Sequence, residues 1–221
     1  ARARPEAEVL LDCPNPASAG DLFREMHPHL QVTDTLWRAC TASPRRDPAG
    51  VWEHVETQVL AAGRTGNNTG LGQLARAASI HLIGGGYLNA IWRDRVGLVA
   101  GMVSTRRISG ARLYGTGLGL LPACDGVPEL ARAFRTFDYV SCRDRSSARQ
   151  FGLPAGLDDL FLGLMTDLPP LRPARDRARD VMVCLQEDLI GPESFALAAG
   201  LLRARIKECL DEGKSVGYVE A

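Results

Sequence analysis

The sequence predicts an α/β protein built on a parallel sheet with helices on both faces, on the strength of three observations. Short apolar runs recur along the middle of the chain at Ser79–Ile83, Ala111–Tyr114 and Tyr139–Cys142. They start about 30 residues apart, the usual length of a strand, helix, strand unit. Each is followed by a glycine-rich or charged loop and then by a helix candidate. Crossovers of that length give parallel strands covered by helices on both sides.

The elements follow in order. Glu8–Asp12 reads as a buried strand closed by Cys13-Pro-Asn-Pro16. Ala19 to Cys40 reads two ways: Asp21 to Met26 suits a helix start and Leu30 to Thr33 suits a strand. Ser43 to Gly50 is a loop. Val51, Val55, Val59 and Leu60 share one face at helical spacing, which predicts an amphipathic helix over 51–62. Gly63 to Gly70 is a polar loop and Leu71 to Ala78 a short helix. Helix candidates also run from Leu88 to Ser104 and from Pro128 to Phe137, and a further one follows Ser147. Leu168 to Arg179, rich in proline and charge, reads as a linker. Beyond it lie a strand over Asp180–Leu185, an amphipathic helix over Glu193–Leu210 with Leu197, Leu201, Ile206 and Leu210 among its apolar positions, and a strand from Ser215 to Val219. Gly213 suits the helix C-cap. The expected organisation is a domain over 1–167, a linker over 168–179 and the beginning of a second α/β domain over 180–221. One strand, helix, strand unit leaves two open sheet edges, so oligomerisation or instability is expected of it.

Composition narrows the function classes. The 221 residues are 45% apolar and 24% charged with a formal net charge of zero. That balance gives no bulk attraction to nucleic acid or to an anionic membrane. No apolar run reaches the roughly 18 residues that span a bilayer. Ala1-Arg-Ala-Arg-Pro-Glu6 lacks the apolar core of a signal peptide, so a cytoplasmic setting is expected. The six cysteines are scattered without a CxxC pair and read as reduced, mostly buried thiols. Neither they nor His27 and His29 have the spacing of a metal site. No GxxxxGK[ST] loop and no full dinucleotide fingerprint is present, which excludes the common ATP and NAD sites, and no cofactor is expected.

Ligands of parallel α/β sheets lie outside the carboxyl ends of the strands. Gly84, Gly85 and Gly86 follow the first of the three strands, where backbone N–H groups can hold an anion or the glycines can simply make a tight turn. Gly115-Thr-Gly-Leu-Gly119 follows the second as a loop. Arg143 follows the third. Its guanidinium suits a carboxylate or phosphate, or else an ion pair with Asp144, and Asp144, Ser146 or Ser147 suits the cap of the next helix. Asp158 and Asp159 can serve acid–base work or a sugar hydroxyl, or can be solvated loop charges. His81, inside a strand, reads as a satisfied core or edge histidine.

Four stretches in order resemble the polysaccharide pyruvyl transferase family: Ile80-His-Leu-Ile-Gly-Gly-Gly-Tyr-Leu88, Leu113-Tyr-Gly-Thr-Gly-Leu-Gly-Leu-Leu-Pro122, Phe137-Asp-Tyr-Val-Ser-Cys-Arg-Asp-Arg-Ser-Ser-Ala148 and Gly156-Leu-Asp-Asp-Leu-Phe-Leu162. The resemblance implies two Rossmann-like domains facing across a cleft, in a glycosyltransferase-B-like arrangement. It implies transfer of a pyruvyl group from phosphoenolpyruvate to a sugar or glycan-precursor acceptor, with a pyruvate ketal as product. It places Gly84, Gly85, Gly86, Gly117 and Arg143 at the cleft, Arg143 and Asp158 in the chemistry, and Ser147 as a substrate-side support. It also implies that the family's first strand and its later Arg/His element lie outside this sequence. Gln186 stands where a basic residue would suit a phosphate. A nucleotide-sugar-dependent glycosyltransferase and a non-catalytic homologue that binds glycan precursors remain as alternatives.

Overall fold

The computed structural model describes residues 4–66, 70–123, 128–158, 179–184 and 191–218. It is a mixed α/β structure of small parallel sheets with helices on both sides. It divides into two compact units, 1–167 and 168–221.

In the first unit, β1 (Val9–Asp12) pairs in parallel with β2 (Leu30–Thr33) across helix α1 (Pro16–Phe23). The helix begins earlier than Asp21 because Asn15 caps it, accepting from Ser18 N at 3.3 Å, and Pro16 fits its first turn. Asp12 ends β1 and caps α2 (Thr35–Thr41): its carboxylate accepts from the backbone of Leu36 at 3.0 Å and Trp37 at 3.2 Å. Burial of that carboxyl raises its pKa, against the lowering effect of those bonds. Helix α3 (Pro48–Thr65) starts three residues before the expected position, with Asp47 as cap and Pro48 in the first turn, and it extends past Gly63. Its buried stripe is Val51, Val55 and Val59, as the spacing predicts. The short α4 (Leu71–Leu74) follows.

The second sheet has the order β3 (Ser79–Gly85), β4 (Arg112–Leu118), β5 (Tyr139–Cys142), all parallel. The Gly115-Thr-Gly-Leu stretch, expected as loop, is the last part of β4: its pairing with β3 continues to Leu118. The register against β5 shifts between Gly115 and Leu118, and Gly117 takes a φ of 63°, which absorbs the bulge. Helix α5 (Val96–Ser109) begins later than Leu88, after a 3₁₀ turn at Arg93–Arg95. Asn89 explains the delay: its buried side chain bonds the chain back to Gly86, and Ala90 N donates to Pro122 O at 2.8 Å. Helices α6 (Pro128–Phe134) and α7 (Arg145–Phe151) complete the described part of the unit.

One helix serves two apolar clusters. Val99, Met102 and Val103 of α5 pack with Leu113, Leu130 and Phe134, while Val96, Leu98 and Ala100 pack with Leu36, Val51 and Val55. Close approach on the second side requires glycine. A Cβ at Gly97 would lie 2.7 Å from Cys40 Sγ and 2.9 Å from Val55 Cγ2, and one at Gly101 would lie 2.5 Å from a Leu36 methyl.

In the second unit, β6 (Val181–Val183) pairs in parallel with β7 (Val216–Tyr218), and α8 (Pro192–Asp211) connects them. Asp180 ties the strand starts together, accepting from Ser215 N and Ser215 Oγ, each at 2.7 Å. Leu197, Leu201 and Leu210 are exposed, and the packed stripe runs through Leu202, Ile206 and Cys209 at helical spacing. Gly213 takes a φ of 76° at the helix end. The expected linker lies outside the described residues except for Arg179.

Candidate functional site

The parallel register brings the carboxyl ends of three strands to one edge, with Gly85 opposite Leu118 and Leu118 opposite Cys142. The loop after β3, the bulged end of β4 and the residue after β5 therefore meet. Arg143 N donates to Leu118 O at 3.0 Å, which anchors that residue to the neighbouring strand. Its guanidinium runs across two glycines. A Cβ at Gly86 would stand 2.9 Å from Nη2; one at Gly119 would stand 3.0 Å from Nε and 3.2 Å from the Gly86 Cα. A side chain at Gly86 would displace the end of the guanidinium, and one at Gly119 would also crowd the Gly86 backbone.

Asp158 accepts from Arg143 Nη1 at 3.3 Å, and the two side chains remain 41% and 30% exposed. A pair that open to water is worth about 0.2–1 kcal/mol, which an incoming anion can offset. Asp159 lies outside the described residues, as does Gln186.

Asp144 makes no ion pair with Arg143; it caps α7. One carboxylate oxygen accepts from Ser147 N and the other from Ser147 Oγ, each at 2.7 Å. The Ser147 N–H, then its hydroxyl, hold the Asp144 carboxyl below its ordinary pKa. Ser147 is fully buried, and its hydroxyl also accepts from Leu120 N at 3.0 Å. The residue is a brace beneath the edge, locking the start of α7 to the segment after β4, and its side chain faces no solvent.

Asn89 escaped the sequence reading. Its Nδ2 donates to Gly86 O, and its Oδ1 accepts from Ile91 N at 2.9 Å, so it fixes the exit of the glycine run. The signal was present: a polar residue three positions after Gly86, inside the apolar stretch Tyr87–Trp92. His81 is on the exposed face of β3, where its Nε2 meets Thr116 Oγ1 at 2.8 Å, away from the strand ends.

The nearest thiol is no nucleophile. Cys142 is fully buried, and burial pushes its pKa up to about 11. His27 is a buried structural residue whose Nδ1 accepts from His29 N at 3.1 Å. Among the described residues, no three His, Cys, Asp or Glu side chains gather to hold a metal, and no helix is long and apolar enough to cross a membrane.

Among the described residues, the edge thus offers the Arg143 cation, held by backbone and carboxylate over two bare glycines. That arrangement can receive a carboxylate or a phosphate in a bidentate grip. Comparison with protein-family models, curated proteins and solved structures returns no match.

Proposed function

We propose that this chain takes part in pyruvyl transfer from phosphoenolpyruvate to a sugar, with Arg143 gripping an anionic group of the donor. The observation that supports the reading best is the Arg143 guanidinium laid across Gly86 and Gly119 where three parallel strands end. The four motif stretches support it from the sequence. In this reading the first unit is Rossmann-like and forms one wall of a glycosyltransferase-B-like cleft.

The chemistry defines what the site must supply. One sugar hydroxyl oxygen bonds to the enol carbon that carries the phosphate, and a proton enters the methylene carbon, making it a methyl group. A second hydroxyl then bonds to the same carbon as the carbon–oxygen bond to phosphate breaks. Of the two hydroxyl protons, one balances the new methyl group and the other leaves with inorganic phosphate. Arg143 neutralises charge on the donor throughout, and Asp158 positions Arg143 through Nη1.

Calorimetric titration with phosphoenolpyruvate tests the reading, with circular dichroism on each protein as the check on folding. Saturable binding is expected, weakened in Arg143→Ala by roughly 10- to 100-fold, as loss of a charge-assisted bond worth about 1.5–3 kcal/mol requires. A folded chain that takes up no phosphoenolpyruvate, or an Arg143→Ala variant that binds it equally well, overturns the proposal.

A further inference from the structure

We propose a second anion site, on the outer side of α7, that takes a phosphate monoester carrying an apolar group. Arg145, Ala148, Arg149, Leu153 and Ala155 line an open concavity of about 320 Å³. The concavity is open, so a ligand seated in it stays partly in water.

The two arginines are four residues apart, so their side chains share one helix face. Two like charges so placed repel each other, and neither makes a hydrogen bond or ion pair with any described residue. The neighbouring acid, Asp144, makes no direct pair with either arginine; its two oxygens accept from Ser147 N and Oγ. Asp158 pairs with Arg143. A phosphate monoester carries close to two negative charges near neutral pH and matches two guanidinium forks.

The rest of the lining is apolar. Ala148 is buried and Leu153 half-buried. The second wall is fixed in place: Leu153 N donates to Ala148 O at 2.9 Å, Cys142 N to Pro154 O at 2.9 Å and Gly156 N to Cys142 O at 2.7 Å. Residues 153–156 thus run as a short extension beside β5, so the floor between them and α7 is preformed. A ligand that fills the whole concavity sets its phosphate on Arg145 and Arg149 and lays an apolar substituent on Ala148, Leu153 and Ala155. The inference is independent of the role proposed for Arg143.

The test titrates n-octyl phosphate below its micelle concentration, beside inorganic phosphate and neutral n-octyl glucoside. The proteins are the full chain, the Arg145→Gln/Arg149→Gln double variant and Arg143→Ala, each checked for folding by circular dichroism. Both arginines are exposed, so the replacements leave the core intact. The expected result is saturable octyl phosphate binding, at least tenfold weaker in the double variant than in either the full chain or Arg143→Ala, and at least tenfold tighter than inorganic phosphate. An absence of binding, an unaffected double variant, or equal binding of octyl glucoside overturns the site. Equal affinity for inorganic phosphate overturns the assignment of an apolar substituent.

Discussion

Replacing Ser147 by alanine removes two hydrogen bonds with one atom. Leu120 N–H loses its acceptor in a place where Leu120 is fully buried, so no water replaces it. An unsatisfied buried donor costs about 1–3 kcal/mol. Asp144 loses the bond from Oγ but keeps the one from Ser147 N, and its half-exposed carboxylate gains water in exchange. The first loss therefore dominates, and the expected destabilisation is about 2–3 kcal/mol near neutral pH. Urea unfolding followed by circular dichroism measures it as a fall in midpoint at constant slope. The pH dependence gives a second check. The Asp144 pKa is depressed in the folded state, so its stabilisation is present above the ordinary value of 3.8 and is lost as pH falls through the lower folded value. Part of that depression comes from Ser147 Oγ, so the variant has less to lose, and its deficit should shrink below pH 4. A destabilisation under about 0.5 kcal/mol, or a deficit that grows on acidification, would refute the assignment of Ser147 as a brace.

Asp138 accepts from Leu113 N and from Arg106 Nη1, each at 2.8 Å, and these bonds, the backbone one foremost, depress its pKa. Its stabilisation is likewise lost as pH falls through the depressed value, so Asp138→Asn should flatten the acid limb of the urea midpoint between pH 2 and 5; parallel limbs would count against it. Burial raises the thiol of Cys40 to about 12 and that of Cys142 to about 11, whereas Cys184 is exposed. Alkylation with iodoacetamide at pH 8, mapped by mass spectrometry, should modify Cys184 quickly and leave Cys40 and Cys142 unmodified until urea is added.

The legible parts of this chain are those whose signal is local. The strand at Tyr139–Cys142 and the valine stripe of α3 follow from spacing alone. The helix starts were also written in the sequence, as Asn15-Pro16 and Asp47-Pro48, but those pairs doubled as loop signals. The end of β4 was misread because glycine is a loop former in isolation; pairing with β3 holds it as a strand and Gly117 takes up the strain. At the site, Gly86 and Arg143 were legible because the rule for parallel sheets puts all three strand ends together, whereas Gly84 and Gly85, expected after the strand, extend β3. Asp12 was not. Its role rests on backbone donors 24 and 25 residues away, and no local pattern carries that information.

The sharing of α5 between two clusters has a consequence for how the first unit comes apart. A helix that walls both clusters cannot loosen on one side without withdrawing Val99 and Met102 from the other, so neither cluster has an opening of its own. Amide protons in α3 and in β4 should then exchange with deuterium through the same rare event, at free energies that converge on global unfolding. The segments on either side of the wall form one cooperative block, and the frame that carries Arg143 persists or is lost as a whole.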